Sequence, residues 1–225
     1  FFFKQKTAYE MCGRDWSSDV CSSDLLPSDT AHPDTMPAYR ERMEDLKRRV
    51  SEWHGFVGAM VVFGDRKVLN MGQGGDRTQN VLWRLQNGEV EGLQPKIAFL
   101  MIGTNNLGCG ESPEDTVLGI KTVLAELQKR LPNTKVVIFS IFPRSGEIMK
   151  SVDKVNAQLP ALADGQRVVH VDLGHLFRNP DGTLIESRFA GDKLHLNHEG
   201  YRAWWEAMEP HLSAALGAPS LPPSQ

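Results

Sequence analysis

Apolar positions along this chain follow two rhythms. Tyr39, Met43, Leu46, Val50 and Trp53 recur at spacings of four, three, four and three, one face of a helix that Asp34-Thr35-Met36-Pro37 starts and Gly55 ends. Val117, Ile120, Leu124, Leu127 and Leu131 form a similar face behind the capping sequence Ser112-Pro113-Glu114-Asp115. "DRTQNVLWRLQNG" (76–88) predicts a shorter helix closed by Gly88, and residues 146–163 a helix that Pro160 ends or kinks. Tyr201, Trp204, Trp205, Met208 and Leu212 mark the buried face of the last helix. Between these lie runs of buried-strand type: Val57–Phe63, Lys67–Met71, "KIAFLMIG" (96–103), "TKVVIFSIF" (134–142) and "RVVHVDL" (167–173).

Strand and helix alternate, which predicts one α/β domain, a parallel sheet with helices on both faces and no internal repeat. In such sheets ligands sit beyond the carboxyl ends of the strands, so the loops at 72–77, 103–111 and 189–198 are where chemistry is expected. One junction breaks the pattern. Only Gly64, Asp65 and Arg66 separate the first two strand runs, whereas a parallel crossover needs about a dozen residues. A crossover segment, including its helix, is therefore expected to be missing from this sequence.

The chain has 225 residues, 40% of them hydrophobic, and a formal net charge of −3, enough for one medium domain with a real core. Lys and Arg are dispersed, which leaves no footprint for nucleic acid, and no apolar run approaches a membrane span. Residues 1–25 have neither rhythm and no signal-peptide pattern. "DWSSDVCSSDL" and "KQKTAYE" resemble translations of a short-read sequencing adapter, with "MCGR" where its variable index falls, so 1–25 is read as a non-native artefact. That leaves a domain at 26–216 and a disordered tail at 217–225, with Cys109 as the remaining cysteine. The true N-terminus is read as lost, which keeps cytoplasmic and secreted locations both open.

Four stretches stand out in order: "FGD" after the first strand, "GQGGDRT", "GTNN" and "DKLHL". Together they resemble the SGNH (GDSL-type) hydrolases, in the branch of platelet-activating-factor acetylhydrolase catalytic subunits. "GGDRTQNVLWRLQNGEVEGLQPKIAFLMIGTNN" and "DKLHLNHEGY" carry that likeness most strongly, within a span of about 36–215. The resemblance implies a three-layer α/β/α, flavodoxin-like fold with a five-stranded parallel sheet. It implies a serine esterase removing a small acetyl-like acyl group from a lipid or an acetylated sugar, with no cofactor or metal and with homodimers allowed. The family's first block reads Gly-Asp-Ser, the serine being the nucleophile. Here Arg66 follows Gly64-Asp65, so the nucleophile falls in the missing segment and this copy is expected to be inactive. The other blocks imply Gly75 and Asn105 as oxyanion-hole donors, Asp192 as the acid and His195 as the base.

Each role has a physical reason. A hydroxyl needs a neighbouring base to become a nucleophile, and a carboxylate behind that base fixes its tautomer and stabilises its cation. Two aimed N–H donors stabilise the oxygen on which negative charge develops. Taken singly, Asp-x-x-His is a surface pair, "GQGGDRT" a tight turn or a failed dinucleotide fingerprint, and "GTNN" a turn; only the joint pattern reads as a catalytic frame. A non-catalytic module binding an ester or carbohydrate is the alternative. His198 and Glu199 read as capping or solvated residues and His170 as a satisfied core or edge residue, while His54, His175 and His211 have no partner pattern. Cys109, Ser140 and Ser145 are disfavoured as nucleophiles by their positions.

Overall fold

In a computed structural model of the chain, the structure describes residues 74–218 together with Phe2, Phe3, Leu69, Met71 and Gly72. The helix read at 36–54, the strand at 57–63, most of that at 67–71 and the Gly64–Arg66 junction lie outside the described residues, as do nearly all of 1–25 and residues 219–225.

The described elements in chain order are β1 (Phe2–Phe3), α1 (Thr78–Gln86), β2 (Ile97–Leu100), α2 (Thr104–Gly108), α3 (Pro113–Arg130), β3 (Lys135–Phe139), α4 (Ile148–Asn156), β4 (Val168–Val171) and α5 (His198–Leu216). Among the described residues the sheet has four strands in the order β1-β2-β3-β4, all parallel. Ile97 is in register with Lys135, and Val136 with Val168. The parallel α/β architecture read from the alternation is therefore present. The short β1 pairs Phe2 with Phe99 and Phe3 with Leu100.

Strand alternation divides the apolar residues between the two faces of the sheet. Ala98, Leu100, Val136, Ile138 and Val168 join Val81, Leu85, Val123, Leu127, Val152 and Val155 from α1, α3 and α4. Ile97, Phe99, Val137 and Phe139 face the other way, onto Trp204, Met208 and Leu212 of α5. An α/β sandwich with helices on both faces follows from that division.

Local signals explain most boundaries. Ser112 caps α3, its hydroxyl accepting the Asp115 N–H at 3.0 Å, with Pro113 in the first turn. Helix α4 stops at Asn156, and a 3₁₀ turn carries Pro160. The stretch "GTNNLGCGES" departs from its loop reading, because Thr104–Gly108 makes a single helical turn, α2. Gly103 permits it with φ 117, and a Cβ there would meet Ile141 Cδ1 and Thr116 Cγ2 at 2.9 Å each. Asn197 caps α5, its side chain accepting the Gly200 N–H at 3.1 Å; His198 and Glu199, expected as capping or solvated residues, are exposed in the first turn.

Candidate active site

The segment between the 3₁₀ turn Glu186–Arg188 and α5 is a small hairpin with Asp192 at its tip. Phe189 and Leu196 form an antiparallel bridge, and the Ala190 N–H donates to the His195 carbonyl at 2.7 Å. Lys193 takes a left-handed φ of 52 to close the turn. Asn197 anchors the base, its amide donating to the carbonyls of Ser187 at 2.7 Å and Phe189 at 3.0 Å. Gly200 lets α5 lie against this hairpin, since a Cβ there would sit 2.1 Å from the Arg188 carbonyl oxygen.

This frame sets the geometry of Asp192 and His195. The imidazole Nδ1 lies 2.5 Å from Asp192 Oδ2. Asp192 Oδ1 accepts the backbone N–H groups of Leu194 at 3.0 Å and His195 at 2.9 Å. Burial pushes the Asp192 carboxyl upward, but the hydrogen bonds from His195 and the two backbone amides outweigh it and hold the group below the usual carboxylate range. An ionised Asp192 accepts the Nδ1 proton, which assigns the ring's lone pair to Nε2. His195 itself is buried, whereas Asp192 stays half-exposed.

Asn105 is tied to the turn that carries Gly75, although Gly75 itself is not among the residues lining the cleft that Asn105 and His195 face. Gly75 has φ 79, so the turn before Asp76 requires glycine or strain. The Asn105 side-chain amide donates to the Asp76 carbonyl at 2.8 Å, tying α2 to that turn. Asn106, fully buried, strengthens the tie: it accepts the Thr78 N–H at 3.1 Å and donates to Thr78 Oγ1 at 3.0 Å, Gln79 Oε1 at 3.2 Å and Glu111 Oε2 at 2.9 Å. Beneath the turn, the buried Arg84 guanidinium donates to Asp76, to Glu89 and, at 2.9 Å, to the Met71 carbonyl. None of these supporting residues was expected from the sequence; the one available signal was a run of polar side chains on a helix with a fully buried start.

Asn105 and His195 face one open cleft of about 690 Å³, its mouth included. Its other walls are largely apolar, with Met101, Ile102, Ile141, Phe142, Leu196 and Trp204 among them. Trp204 stands edge-on to Phe142 with ring centroids 5.0 Å apart, giving a firm aromatic floor. Tyr201 also lines the cleft, and burial together with the nearby negative Asp192 raises its phenol well above the usual value. Asp192 does not line the cleft but stands behind His195, as an orienting group should.

The competing candidates fall elsewhere. His170 Nε2 lies 3.0 Å from Ser140 Oγ, a cross-strand pairing between β4 and the end of β3 that agrees with a satisfied sheet residue. Cys109 follows α2 and is absent from the cleft walls, and Ser145 is exposed. Among the described residues no three of His, Cys, Asp and Glu cluster so as to hold a metal ion, and no helix is long and apolar enough to cross a membrane.

Residues 34–203 match the model of the GDSL-like Lipase/Acylhydrolase family. The chain is 36% identical over 174 residues to the platelet-activating factor acetylhydrolase IB subunit alpha1 of Homo sapiens, covering 72% of this chain and 74% of that one. In structure it resembles a GDSL-like lipase from Bacteroides thetaiotaomicron, with TM-score 0.61, 16% identity, and 77% and 100% of the two chains covered. A carbohydrate esterase family 3 protein from Talaromyces cellulolyticus aligns at TM-score 0.52 and 21% identity, over 64% and 70% of the two chains.

Proposed function

The chain belongs to the GDSL-like lipase/acylhydrolase family of SGNH hydrolases, and from that premise we propose that it is built as a serine esterase for small acetyl-like acyl groups, with the nucleophile absent after Asp65. The observation that carries this reading is the 2.5 Å pairing of Asp192 with a His195 that lines, together with Asn105, one apolar-walled cleft. In the complete enzyme a serine hydroxyl attacks the ester carbonyl carbon while His195 Nε2 takes its proton. Asp192 holds the resulting imidazolium through Nδ1–H. The Gly75 N–H and the Asn105 amide stabilise the oxyanion, each such donor being worth about 10² to 10³ in rate. Collapse of the tetrahedral adduct releases the alcohol, which takes the proton from His195. Water, deprotonated by the same ring, then cleaves the acyl-serine to the carboxylic acid.

The acetylhydrolase and carbohydrate-esterase relatives support an acetyl ester of a lipid or a sugar as the substrate class. Arg66 in place of serine makes the chain as written inactive, since loss of the nucleophile costs about six orders of magnitude in a comparable serine hydrolase. The same residue favours a second reading, a pocket that only binds esters or carbohydrates. Reading the source DNA across codons 60–75 and assaying p-nitrophenyl acetate separates the two. An insert beginning with a serine codon, encoding a loop and helix and restoring turnover, supports the esterase. A genuine junction with no turnover leaves the binding module, and robust turnover by the chain as written refutes the missing-nucleophile account.

A further inference from the structure

The loop that carries Gly75 has glycine at 72, 74 and 75, so by itself it has little reason to hold one shape. One buried side chain grips both of its ends. Arg84, with no exposed surface, projects from α1 and donates Nη1 to the Met71 carbonyl before the loop and Nη2 to the Asp76 carboxylate after it. Nη1 is also shared with Glu89 Oε1. Glu89 is itself buried, and its second oxygen, Oε2, has no hydrogen-bond partner among the described residues. A guanidinium facing two carboxylates and a carbonyl is more than the closing of one helix end requires. Asn105 completes the assembly from the other side, donating to the Asp76 carbonyl.

We propose that Arg84 is a positioning residue for the oxyanion donors, its single buried guanidinium setting the Gly75 loop, and that the charge on Glu89 tunes this grip. The inference rests on Gly75 and Asn105 being those donors. With Glu89 ionised, Nη1 is divided between a carboxylate and the Met71 carbonyl, and the cluster carries one excess negative charge. With Glu89 neutral, the loop's claim on Nη1 strengthens and the excess charge disappears, which favours negative charge developing at the hole. Glu89 is pushed up to about 7, chiefly by burial, with Arg84 opposing and Asp76 adding to it. The charged groups around it are Arg84 on α1, Asp76 on the loop and Glu91 in its own exposed turn; from α3, Arg130 reaches the Gln86 carbonyl while paired with Glu126.

The test needs no catalysis and uses the full 225-residue chain labelled with ¹⁵N and ¹³C. Between roughly pH 5 and 9, the Gly75 amide and the Asn105 side-chain amide are expected to shift with the midpoint of the Glu89 carboxyl carbon. In Glu89→Gln that component vanishes, while any response to His195 is common to both chains and cancels in the difference. Arg84→Lys, which keeps the charge but loses the fork, speeds Gly75 amide exchange about tenfold through a looser loop. A Gly75 amide that ignores the Glu89 midpoint in the unaltered chain overturns the proposal whether or not either variant folds. Coupling between Glu89 and Gly75 in a nucleophile-restored chain that hydrolyses no ester supports the loop grip and removes the hydrolase reading instead.

Discussion

Two carboxylates tied to the walls of one cleft, Asp192 through His195 and Glu89 through Arg84 and Asp76, are pushed in opposite directions. Asp192 is half-exposed, receives the His195 ring and two backbone N–H groups, and is held below the usual carboxylate range. Glu89 is buried, shares one arginine with Asp76, and is pushed up to about 7. The difference shows that a charged partner alone does not keep a carboxylate ionised. Donor count and access to water decide, because desolvation acts on the whole charge while each hydrogen bond offsets only part of it. The exposed site is suited to orienting a base, the buried one to holding backbone in place.

The largest effect that would sharpen this contrast concerns Asp192. In a nucleophile-restored chain, Asp192→Asn is expected to lower kcat by about four orders of magnitude, as the wrong tautomer of His195 becomes favoured. Its stability should change by less than about 1 kcal/mol, because the side chain is half in water. A small kcat effect in steady-state kinetics would break the assignment of Asp192.

Arg84→Met should show the reverse in the chain as written. It leaves Asp76 and Glu89 buried without their cation, which is expected to cost about 3–5 kcal/mol in urea unfolding. An unfolding curve that barely moves would mean that the cluster is not a structural hub.

The smallest effects are the pH slopes. Glu89 keeps its proton up to about 7 when folded but loses it near 4.5 when unfolded, so the folded chain binds more protons between those values. Its contribution to stability is therefore full below about 4.5 and falls away as pH rises to about 7. Asp192 has the opposite sign: its contribution is present above the usual carboxylate range and is lost as pH falls through its depressed value. Melting temperatures across pH should show the Glu89 decline flattened in Glu89→Gln and the acid-side loss flattened in Asp192→Asn. Exchange of these two outcomes would invert the comparison.

Part of the candidate site's geometry was legible within short spans of chain, while Gly75 and Asn105 were named only through the family resemblance. Asp192 and His195 are three apart, so one hairpin brings them together, and the cap of α3 and the apolar faces of α3 and α5 depend on neighbours within a turn or two. The supporting polar residues were not legible. Asn106 reaches Thr78 across 28 positions, and Arg84 joins residues 71, 76 and 89 from the last turn of an amphipathic helix, where arginine ordinarily reads as solvated. The short turn α2 was hidden for a related reason: Gly103, Ile141 and Thr116 meet only once strand and helix are packed.

The sequence by itself determined the alternating α/β plan, because periodicity is written within a few turns of chain, and its four ordered blocks carried the resemblance to a hydrolase family and with it the expected pairing of Asp192 with His195. Only the tertiary structure decided that Asn105 ties back to the Asp76 turn, that His195 faces an apolar cleft floored by Trp204, and that Arg84 is buried between two carboxylates. Those outcomes depend on desolvation and on contacts between distant segments, which exist only after the sheet and its helices have closed on one another.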